Sequence, residues 1–332
     1  MYEYEYKAEH RKGDRGVQNM NRGNVFGING KIETECLTVV GAQYAPIGAM
    51  NMEDVDRNTE TLLSFMDRAS GGFPGFDLFV APEACIQGFP QFGWENALLT
   101  MDSPQIKKFQ EKCAELEVYG VLDFLLRVDE QNNYTNTAIV INDKGEIIHR
   151  YDKMNPWIPF EGSIPGRSCT VCDGPKGAKF GIIICADGDY PEMWRGAAVQ
   201  GANVIIRPTH YMDPWQNAWE ITNKSGAYFN QVYVVAVNCS GTAENENFSC
   251  FGRSMILGPD GNVICEGANG APSMIKADLY PGIIDAMRSQ AVHSAPMYSY
   301  AHRGASSHPY AGKGLDTSDY TAYKRGDNDG TV

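Results

Sequence analysis

The sequence lacks any run of about 18 apolar residues, which a helix needs to cross a membrane. It also lacks an excess of basic side chains, since 28 Lys and Arg stand against 41 Asp and Glu, a formal net charge of −13. This charge repels phosphate groups, so we expect neither a nucleic-acid partner nor binding to an anionic membrane surface. Residues 1–16 are charged and contain no apolar segment typical of a secretory signal.

The cysteines do not form a pattern typical of a disulfide framework. The nine cysteines are odd in number and scattered through a long chain, which favours reduced thiols and a cytoplasmic location. Cys169 and Cys172 have C-x-x-C spacing, but neither a second pair nor a histidine at zinc spacing accompanies them. No glycine-rich loop has the spacing of a nucleotide site. We therefore predict no metal and no cofactor.

The composition divides the chain into three segments. Residues 1–36 are polar without periodicity and are interpreted as an N-terminal arm, either loose or used by a neighbouring subunit. Residues 306–332 are polar and are interpreted as a C-terminal tail. Between 37 and 305 the composition does not shift, so we predict a single domain there.

Strand and helix patterns alternate through this domain. Apolar runs predict buried strands at 37–46, 76–83, 119–129, 179–185, 202–208 and 232–239. Periodic apolar spacing predicts helices at 51–70, 103–116, 191–201 and 215–231. Turns at 143–145 and 259–261 each join two adjacent strands. Strands this apolar need cover on both faces, which favours an α/β fold with two mixed sheets face to face and helices outside.

Three reactive side chains lie at or just past the ends of predicted strands. Cys185 precedes a turn and a helix, a place where α/β folds bind ligands and where backbone N–H groups can hold an oxyanion. Glu83 is well placed as a general base, and the ammonium of Lys153 could stabilise a tetrahedral oxyanion, with Glu161 orienting Lys153 or the substrate. Singly, each has an ordinary explanation, namely a buried thiol, a solvated carboxylate, a surface lysine or an ion-paired rim glutamate. Their combination favours nucleophilic catalysis.

The surrounding segments resemble the nitrilase superfamily of carbon–nitrogen hydrolases, in particular its aliphatic amidase and formamidase branch. The matching stretches are APEACIQG around Glu83, HRYDKMNPWIPFEG around Lys153 and Glu161, and GIIICADGDYPEMWR around Cys185. Further matches are NVIIRPTHYM, YVVAVNCSG, FGRSMILGPDG and HRG at 302–304. The resemblance covers roughly 37–305, and its most specific part is Cys-x-Asp-Gly-x-Tyr-Pro-Glu.

The resemblance implies a cysteine-dependent amidase with a four-layer α-β-β-α sandwich of the nitrilase type. Glu83 would be the general base, Lys153 the oxyanion stabiliser and Cys185 the nucleophile, while Glu161 would shape the amide site. A small carboxamide would be hydrolysed to a carboxylic acid and ammonia through a thioester. The family also implies a homo-oligomer, a dimer or larger, with arms crossing between subunits.

Several residues are expected to contact the substrate. Trp157 and Tyr211 match residues that line the amide pocket in the family, and the backbone N–H of Ala186 would be a second oxyanion donor. His210 stands beside Tyr211, and both a structural and a substrate-contacting role are open for it.

Two positions depart from the simple aliphatic amidases. Ala84 stands where they usually carry tyrosine, and residues 163–166 read Ser-Ile-Pro-Gly where they usually have Trp-Tyr-Pro-Gly. Both departures replace large aromatic side chains, so we hypothesise a wider acyl pocket. The alternative is that Phe89, Trp94 or Trp215 fills the space.

Three alternative functions compete with the amidase prediction. Nitrilases usually have Cys-Trp-Glu at the nucleophile, where this chain has Cys185-Ala186-Asp187, and N-carbamoyl amide hydrolases share the same three catalytic groups. A catalytically silent member could instead serve as a binding or scaffold protein. Ammonia release that is lost in Cys185→Ala would distinguish an enzyme from such a scaffold.

Overall fold

The computed structural model describes residues 18–20, 32–158 and 160–290. The predicted tail at 306–332, the HRG match at 302–304 and most of the predicted arm at 1–36 lie outside the described residues. The arm, the tail, the domain boundaries and the homo-oligomer therefore stay predictions. Among the described residues, no helix combines the length and the apolar character that crossing a membrane requires.

The described chain alternates between strands and helices. In chain order the strands are β1 (Gln18–Met20), β2 (Ile32–Thr34), β3 (Leu37–Gln43), β4 (Leu78–Val80), β5 (Tyr119–Arg127), β6 (Tyr134–Ile141), β7 (Ile147–Asp152), β8 (Val171–Asp173), β9 (Lys179–Ile182), β10 (Val204–Thr209), β11 (Tyr233–Asn238), β12 (Ser240–Gly241), β13 (Cys250–Phe251), β14 (Met255–Leu257), β15 (Val263–Glu266) and β16 (Ser273–Leu279). The helices are α1 (Met52–Gly72), α2 (Pro104–Leu116), α3 (Pro191–Val199), α4 (Gln216–Asn230) and α5 (Pro281–Gln290), with short 3-10 helices at Trp94–Asn96 and Cys185–Asp189.

Two six-stranded mixed sheets form the centre of the fold. The first has the order β16-β3-β4-β5-β6-β7 and the second β15-β14-β11-β10-β9-β8. Each contains three neighbouring parallel strands, β3, β4 and β5 in the first sheet and β9, β10 and β11 in the second. The carboxyl ends of parallel strands meet at one edge of a sheet, which is where such folds assemble their sites.

Alternating side chains place the two sheets face to face. Val39 and Val80 belong to the core that the first sheet shares with the second sheet. Their neighbours Val40 and Phe79 belong to the core formed with α1 and α2, because successive side chains of a strand point to opposite faces. Trp194 of α3 and Trp219 of α4 pack on the second sheet. The four-layer α-β-β-α prediction is therefore confirmed.

Gly41 of β3 marks a close approach between the two sheets. A Cβ atom at this position would lie 2.8 Å from Cγ2 of Val237, which belongs to β11 in the opposite sheet. It would also lie 3.0 Å from Cγ1 of Ile275 on the neighbouring strand β16. A side chain at residue 41 would therefore overpack the core between the sheets.

The predicted strands and helices correspond closely to the observed ones. Helix α1 buries Val55, Leu62, Phe65, Met66 and Ala69, the face that its periodicity predicts. Helix α2 begins at Pro104 as expected, although the Ser103 hydroxyl accepts the N–H of Thr100 instead of a helix N–H. The prediction did not include β1, β2, β8, β12, β13, β16 or α5, which are short or lie in weakly patterned segments.

Candidate active site

Glu83 is a buried carboxylate just past the end of β4, with 1% of its side chain exposed. Its Oε1 accepts hydrogen bonds from Nζ of Lys153 and Nδ2 of Asn136, both at 2.8 Å. Its Oε2 accepts the backbone N–H of His210 at 2.8 Å. These donors come from three other segments, so the carboxylate is held in one orientation.

Lys153 follows β7 and lies between two carboxylates. Its Nζ is 2.8 Å from Oε1 of Glu83 and 2.8 and 2.7 Å from the two oxygens of Glu161. Burial alone lowers the pKa of Lys153, but the carboxylates of Glu83 and Glu161 raise it, and the net pKa is well above its ordinary value. The side chain is therefore a fixed ammonium ion.

Glu161 is held in place by two further donors. Its Oε2 accepts the backbone N–H of Trp157 at 2.6 Å, and its Oε1 accepts Nδ2 of Asn136 at 3.1 Å. Asn136 of β6 thus bridges Glu83 and Glu161. Nothing in its sequence context marked it, because its importance arises from pairing with residues 25 and 53 positions away.

Cys185 is the first residue of a 3-10 helix and has a positive φ of 46°. Left-handed backbone is uncommon outside glycine and requires support from its surroundings. Burial and the carboxylate of Glu83 raise the pKa of the Cys185 thiol well above its ordinary value, while Lys153 opposes the shift. The resting sulfur therefore carries its proton, and a base has to remove it before attack.

Arg207 and Asp187 supply that support, and the sequence analysis missed both roles. The buried guanidinium of Arg207 donates from Nε and Nη2 to the carbonyl oxygen of Cys185, at 3.0 and 2.7 Å. Oδ2 of Asp187 accepts the N–H of Ile184 at 2.9 Å. A lone arginine inside the apolar strand NVIIRPT was the available signal, because a buried cation needs specific partners.

We expect Arg207→Lys to slow turnover by about 10- to 100-fold, because losing the two-pronged contact displaces the sulfur. The free energy of unfolding should fall by about 2 kcal/mol, as a hydrogen bond to a charged donor is lost. Steady-state kinetics and urea unfolding measure the two effects. Arg150→Lys is the matched control, since that side chain is partly exposed on β7 and pairs with Asp152. Equal behaviour of the two variants would contradict a role for Arg207 in holding Cys185.

One cavity of about 190 Å³ is lined by Glu83, Lys153, Glu161 and Cys185 together. The structure thus brings together the four side chains that were predicted to be catalytic, and their catalytic roles stay predictions. Much of the remaining wall is aromatic, formed by Phe89, Trp94, Tyr134, Trp157, Phe160 and Phe248. The cavity therefore combines a charged floor with apolar sides.

The aromatic side chains form two groups. Trp157 stacks on Phe160 with ring centroids 4.4 Å apart, and Phe248 packs against both at 5.8 and 6.2 Å. On the other side, Trp94 lies 4.9 Å from Tyr134. Trp157 thus lines the cavity, and its predicted contact with the substrate stays a prediction.

His210 lines the cavity and is paired with a glutamate that the sequence analysis missed. Its Nε2 lies 3.0 Å from Oε2 of Glu246, and both side chains are buried. The alignment falls short of a hydrogen bond, and the contact is an ion pair when His210 is protonated. Burial alone lowers the pKa of His210, but Cys239, Cys250 and Glu246 raise it well above its ordinary value. Because Oε1 of Glu246 accepts the N–H of Phe89 at 2.8 Å, the pair also ties two walls of the cavity together.

Tyr211 is not among the residues that line the cavity in the described structure, and its predicted substrate contact stays a prediction. Its hydroxyl donates to Oδ1 of Asp189 at 2.8 Å, and the guanidinium carbon of Arg207 lies 5.3 Å from its ring. His210 and Met212 do line the cavity. Successive side chains of an extended chain point in opposite directions, so Tyr211 faces the layer behind the site.

Ala84 and Ala186 are not among the residues that line the cavity. Ala84 is buried with a φ of 46° and packs against Leu98, Leu125 and Tyr134, outside the cavity wall. Its small side chain faces a packed cluster, and the prediction that Ala84 contacts the substrate stays a prediction. Ala186 is buried directly after Cys185, and its predicted contribution through the backbone N–H stays a prediction.

The space beside Ala84 is occupied by two of the three aromatic side chains considered as fillers. Phe89 and Trp94 pack on the Ala84 cluster and line the cavity. Trp215 is 53% exposed just before α4 and takes no part in the lining.

A comparison with known families supports the resemblance deduced from the sequence. The family model for carbon-nitrogen hydrolases matches residues 37–289. The chain belongs to the carbon–nitrogen hydrolase family. The formamidase of Photorhabdus laumondii is 34% identical over 296 residues, covering 88% of this chain and 86% of the relative. The formamidase of Helicobacter acinonychis is 35% identical over 271 residues, covering 80% of each.

Solved structures of this family share the fold. Nit3 of Saccharomyces cerevisiae, a member of branch 10 of the nitrilase superfamily, superposes with a TM-score of 0.70 at 22% identity, covering 79% of this chain and 96% of that one. An amidase from Nesterenkonia superposes with a TM-score of 0.66 at 20% identity, covering 75% of this chain and 92% of that one. One structure of that amidase carries the acetamide moiety of fluoroacetamide on its active-site cysteine.

Proposed function

We propose that this carbon–nitrogen hydrolase is a cysteine-dependent amidase, which converts a small carboxamide to a carboxylic acid and ammonia through a thioester. The observation that carries the proposal is the shared cavity of the Cys185 thiol, the Glu83 carboxylate and the Lys153 ammonium. The curated relatives named formamidase, at 34–35% identity over most of the chain, favour the same chemistry.

Acylation begins with removal of the thiol proton. Since the pKa of Cys185 is raised, Glu83 has to accept this proton as Sγ attacks the carbonyl carbon. The C–S bond forms while the C=O electrons move to oxygen, and Lys153 and the Ala186 N–H stabilise that oxyanion. Collapse of the intermediate breaks the C–N bond, and Glu83 returns the proton to the departing nitrogen, which leaves as ammonia.

Deacylation repeats the sequence with water. Glu83, again a carboxylate, takes a proton from a water molecule that attacks the thioester carbonyl. The C–S bond breaks, the sulfur regains a proton from Glu83, and the carboxylic acid leaves. Glu161 touches Lys153 through both oxygens and therefore fixes the ammonium in both halves of the reaction.

Intact-mass spectrometry of the full chain incubated with single amides tests the proposal directly. A mass increase that matches the acyl group, mapped to Cys185 by peptide analysis, together with ammonia release is the expected result. An adduct formed from a nitrile but from no amide would instead support nitrilase chemistry. Absence of both an adduct and ammonia across amides, nitriles and carbamoyl compounds would overturn the enzymatic proposal.

We also propose, from the size of the cavity and not from the space beside Ala84, which Phe89 and Trp94 occupy, that the acyl group is larger than formyl or acetyl. The cavity volume of about 190 Å³ far exceeds the ~10–15 Å³ that a cavity needs to hold one water. Its ammonium, Lys153, is already engaged by two carboxylates, so a negatively charged acyl group would lack a partner. The aromatic wall favours an uncharged, apolar acyl group.

A panel of amides from formamide through butyramide to benzamide tests the acyl preference. We expect kcat/KM to rise by about tenfold or more from formamide to the preferred apolar amide, since each buried methylene contributes about 0.8 kcal/mol. Phe248→Ala should reduce this preference, because Phe248 packs on the Trp157 and Phe160 wall. Phe92→Ala is the control, because Phe92 is 71% exposed and does not line the cavity. Highest kcat/KM for formamide would refute the wide-pocket proposal.

A further inference from the structure

Asp123 of β5 is a fully buried carboxyl group next to the site but outside the cavity lining. Its Oδ1 accepts the backbone N–H of Ala84 at 2.7 Å. Its backbone carbonyl accepts the N–H of Cys85 at 3.1 Å. Its other side-chain oxygen, Oδ2, is buried and has no hydrogen-bond partner among the described residues.

The hydrogen bond from the Ala84 N–H to Asp123 holds the residue that directly follows Glu83. Ala84 has a φ of 46°, a left-handed conformation that costs a non-glycine residue energy and persists only when its surroundings hold it. This turn ends the extended run of β4 and helps direct Glu83 toward Lys153. Asp123 therefore clamps the backbone on which the carboxylate of Glu83 depends.

The charges around Asp123 disfavour its ionised form. The groups that face it are the carboxylates of Glu83 and Glu161, the ammonium of Lys153 and the thiol of Cys85. Lys153 is already shared by the two glutamates, so a third carboxylate would add negative charge without a new cation. Burial, and then the carboxylate of Glu83, raise the pKa of Asp123 well above its ordinary value.

An ionised Asp123 would also leave Oδ2 charged and unsolvated. Burying an unpaired charge costs much more than burying an unpaired neutral polar group. As a neutral acid, Asp123 keeps Oδ1 as the acceptor for Ala84 and adds no negative potential near Cys185. The absence of a negative charge on Asp123 matters because negative potential opposes formation of the Cys185 thiolate.

We propose that Asp123 is a positioning residue for Glu83, held as a neutral carboxylic acid that accepts the N–H of Ala84. The inference rests on the proposed function in so far as Glu83 is the general base. Asp123 touches neither the cavity nor the reacting atoms. It therefore acts only by holding the turn at Ala84 and by remaining uncharged.

Two substitutions distinguish the effect of the hydrogen bond to Ala84 from the effect of a charge on Asp123. Asp123→Asn keeps a neutral group of the same shape with an acceptor for Ala84, so we expect kcat/KM within about threefold of the wild type. The acidic limb of its pH profile should stay in place, because no charge is removed. Asp123→Leu removes the acceptor, so we expect kcat to fall by about 100-fold as Glu83 loses its alignment.

Opposite outcomes would overturn the proposal. If Asp123 were ionised, Asp123→Asn would remove a like charge beside the base and move the acidic limb down by about one pH unit or more. Wild-type kcat in a folded Asp123→Leu protein would contradict the clamp. Circular dichroism and urea unfolding verify that each variant is folded, and Asp123→Asn serves as the test if the leucine variant is not.

Infrared spectroscopy gives a readout that requires no substrate. The wild type at neutral pH should show the C=O band of a protonated carboxylic acid, and Asp123→Asn should lack it. Absence of that band in the wild type would refute the neutral acid even if the enzyme is active. If the protein hydrolyses no amide but shows the band, the proposed function is contradicted while the neutral Asp123 is supported.

Discussion

Cys185→Ala is expected to reduce amide hydrolysis by about 10⁴-fold or more, because the thioester cannot form without the sulfur. The substitution removes one atom from a buried residue, so the fold should remain intact. Ammonia release measures the turnover, and intact mass measures the acyl adduct. Both signals should disappear together, since the acyl group has no other attachment in this mechanism.

The matched control for the nucleophile is Cys265→Ala. Cys265 lies on β15 at the edge of the second sheet, is partly buried and lies outside the cavity lining. Its replacement should leave ammonia release and the adduct unchanged. An adduct that survives in Cys185→Ala but vanishes in Cys265→Ala would contradict the assignment of the nucleophile.

Lys153→Met is expected to lower kcat by at least about 10²–10³-fold, because one donor to the oxyanion is lost. Methionine has nearly the same length, so the volume is kept while the charge is removed. The carboxylates of Glu83 and Glu161 would then lie buried without their cation. The free energy of unfolding should therefore fall by about 3–5 kcal/mol. Steady-state kinetics at saturating amide and urea unfolding separate the catalytic loss from the structural one.

The control for this lysine is Lys108→Met on α2. Lys108 pairs with Glu60 at 2.7 Å, but both side chains are exposed, so the pair contributes little to stability. That variant should match the wild type in turnover and in unfolding. Near-normal turnover of Lys153→Met would count against its role at the oxyanion, whatever its stability.

The strands and helices that carry Glu83 and Cys185 could be predicted because their patterns are local. The apolar run 76–83 contains β4, and the run 179–185 contains β9 and ends at Cys185. Periodicity likewise predicted the buried face of α1. Strand β16 was missed although it pairs along the whole length of β3, because only about half of its side chains are buried.

The direction of individual side chains could not be predicted in the same way. Tyr211 matched a pocket residue, yet the chain turns His210 and Met212 toward the cavity and Tyr211 toward Asp189. Ala84 likewise faces a packed cluster although it directly follows Glu83. A shift of one position along an extended chain reverses the face, and the motif alone does not record that register.

The layered α/β architecture, the family and the candidate residues Glu83, Lys153 and Cys185 could be predicted without a structure, because strand ends and short motifs are local features. The groups that hold these residues became apparent only from the packing of distant segments. Arg207 donates a hydrogen bond to the carbonyl of Cys185, 22 positions away in the chain. Asp123 accepts one from the N–H of Ala84, 39 positions away. Such contacts depend on two strands being neighbours in a sheet or on a strand facing a turn, and that neighbourhood exists only once the distant segments have packed.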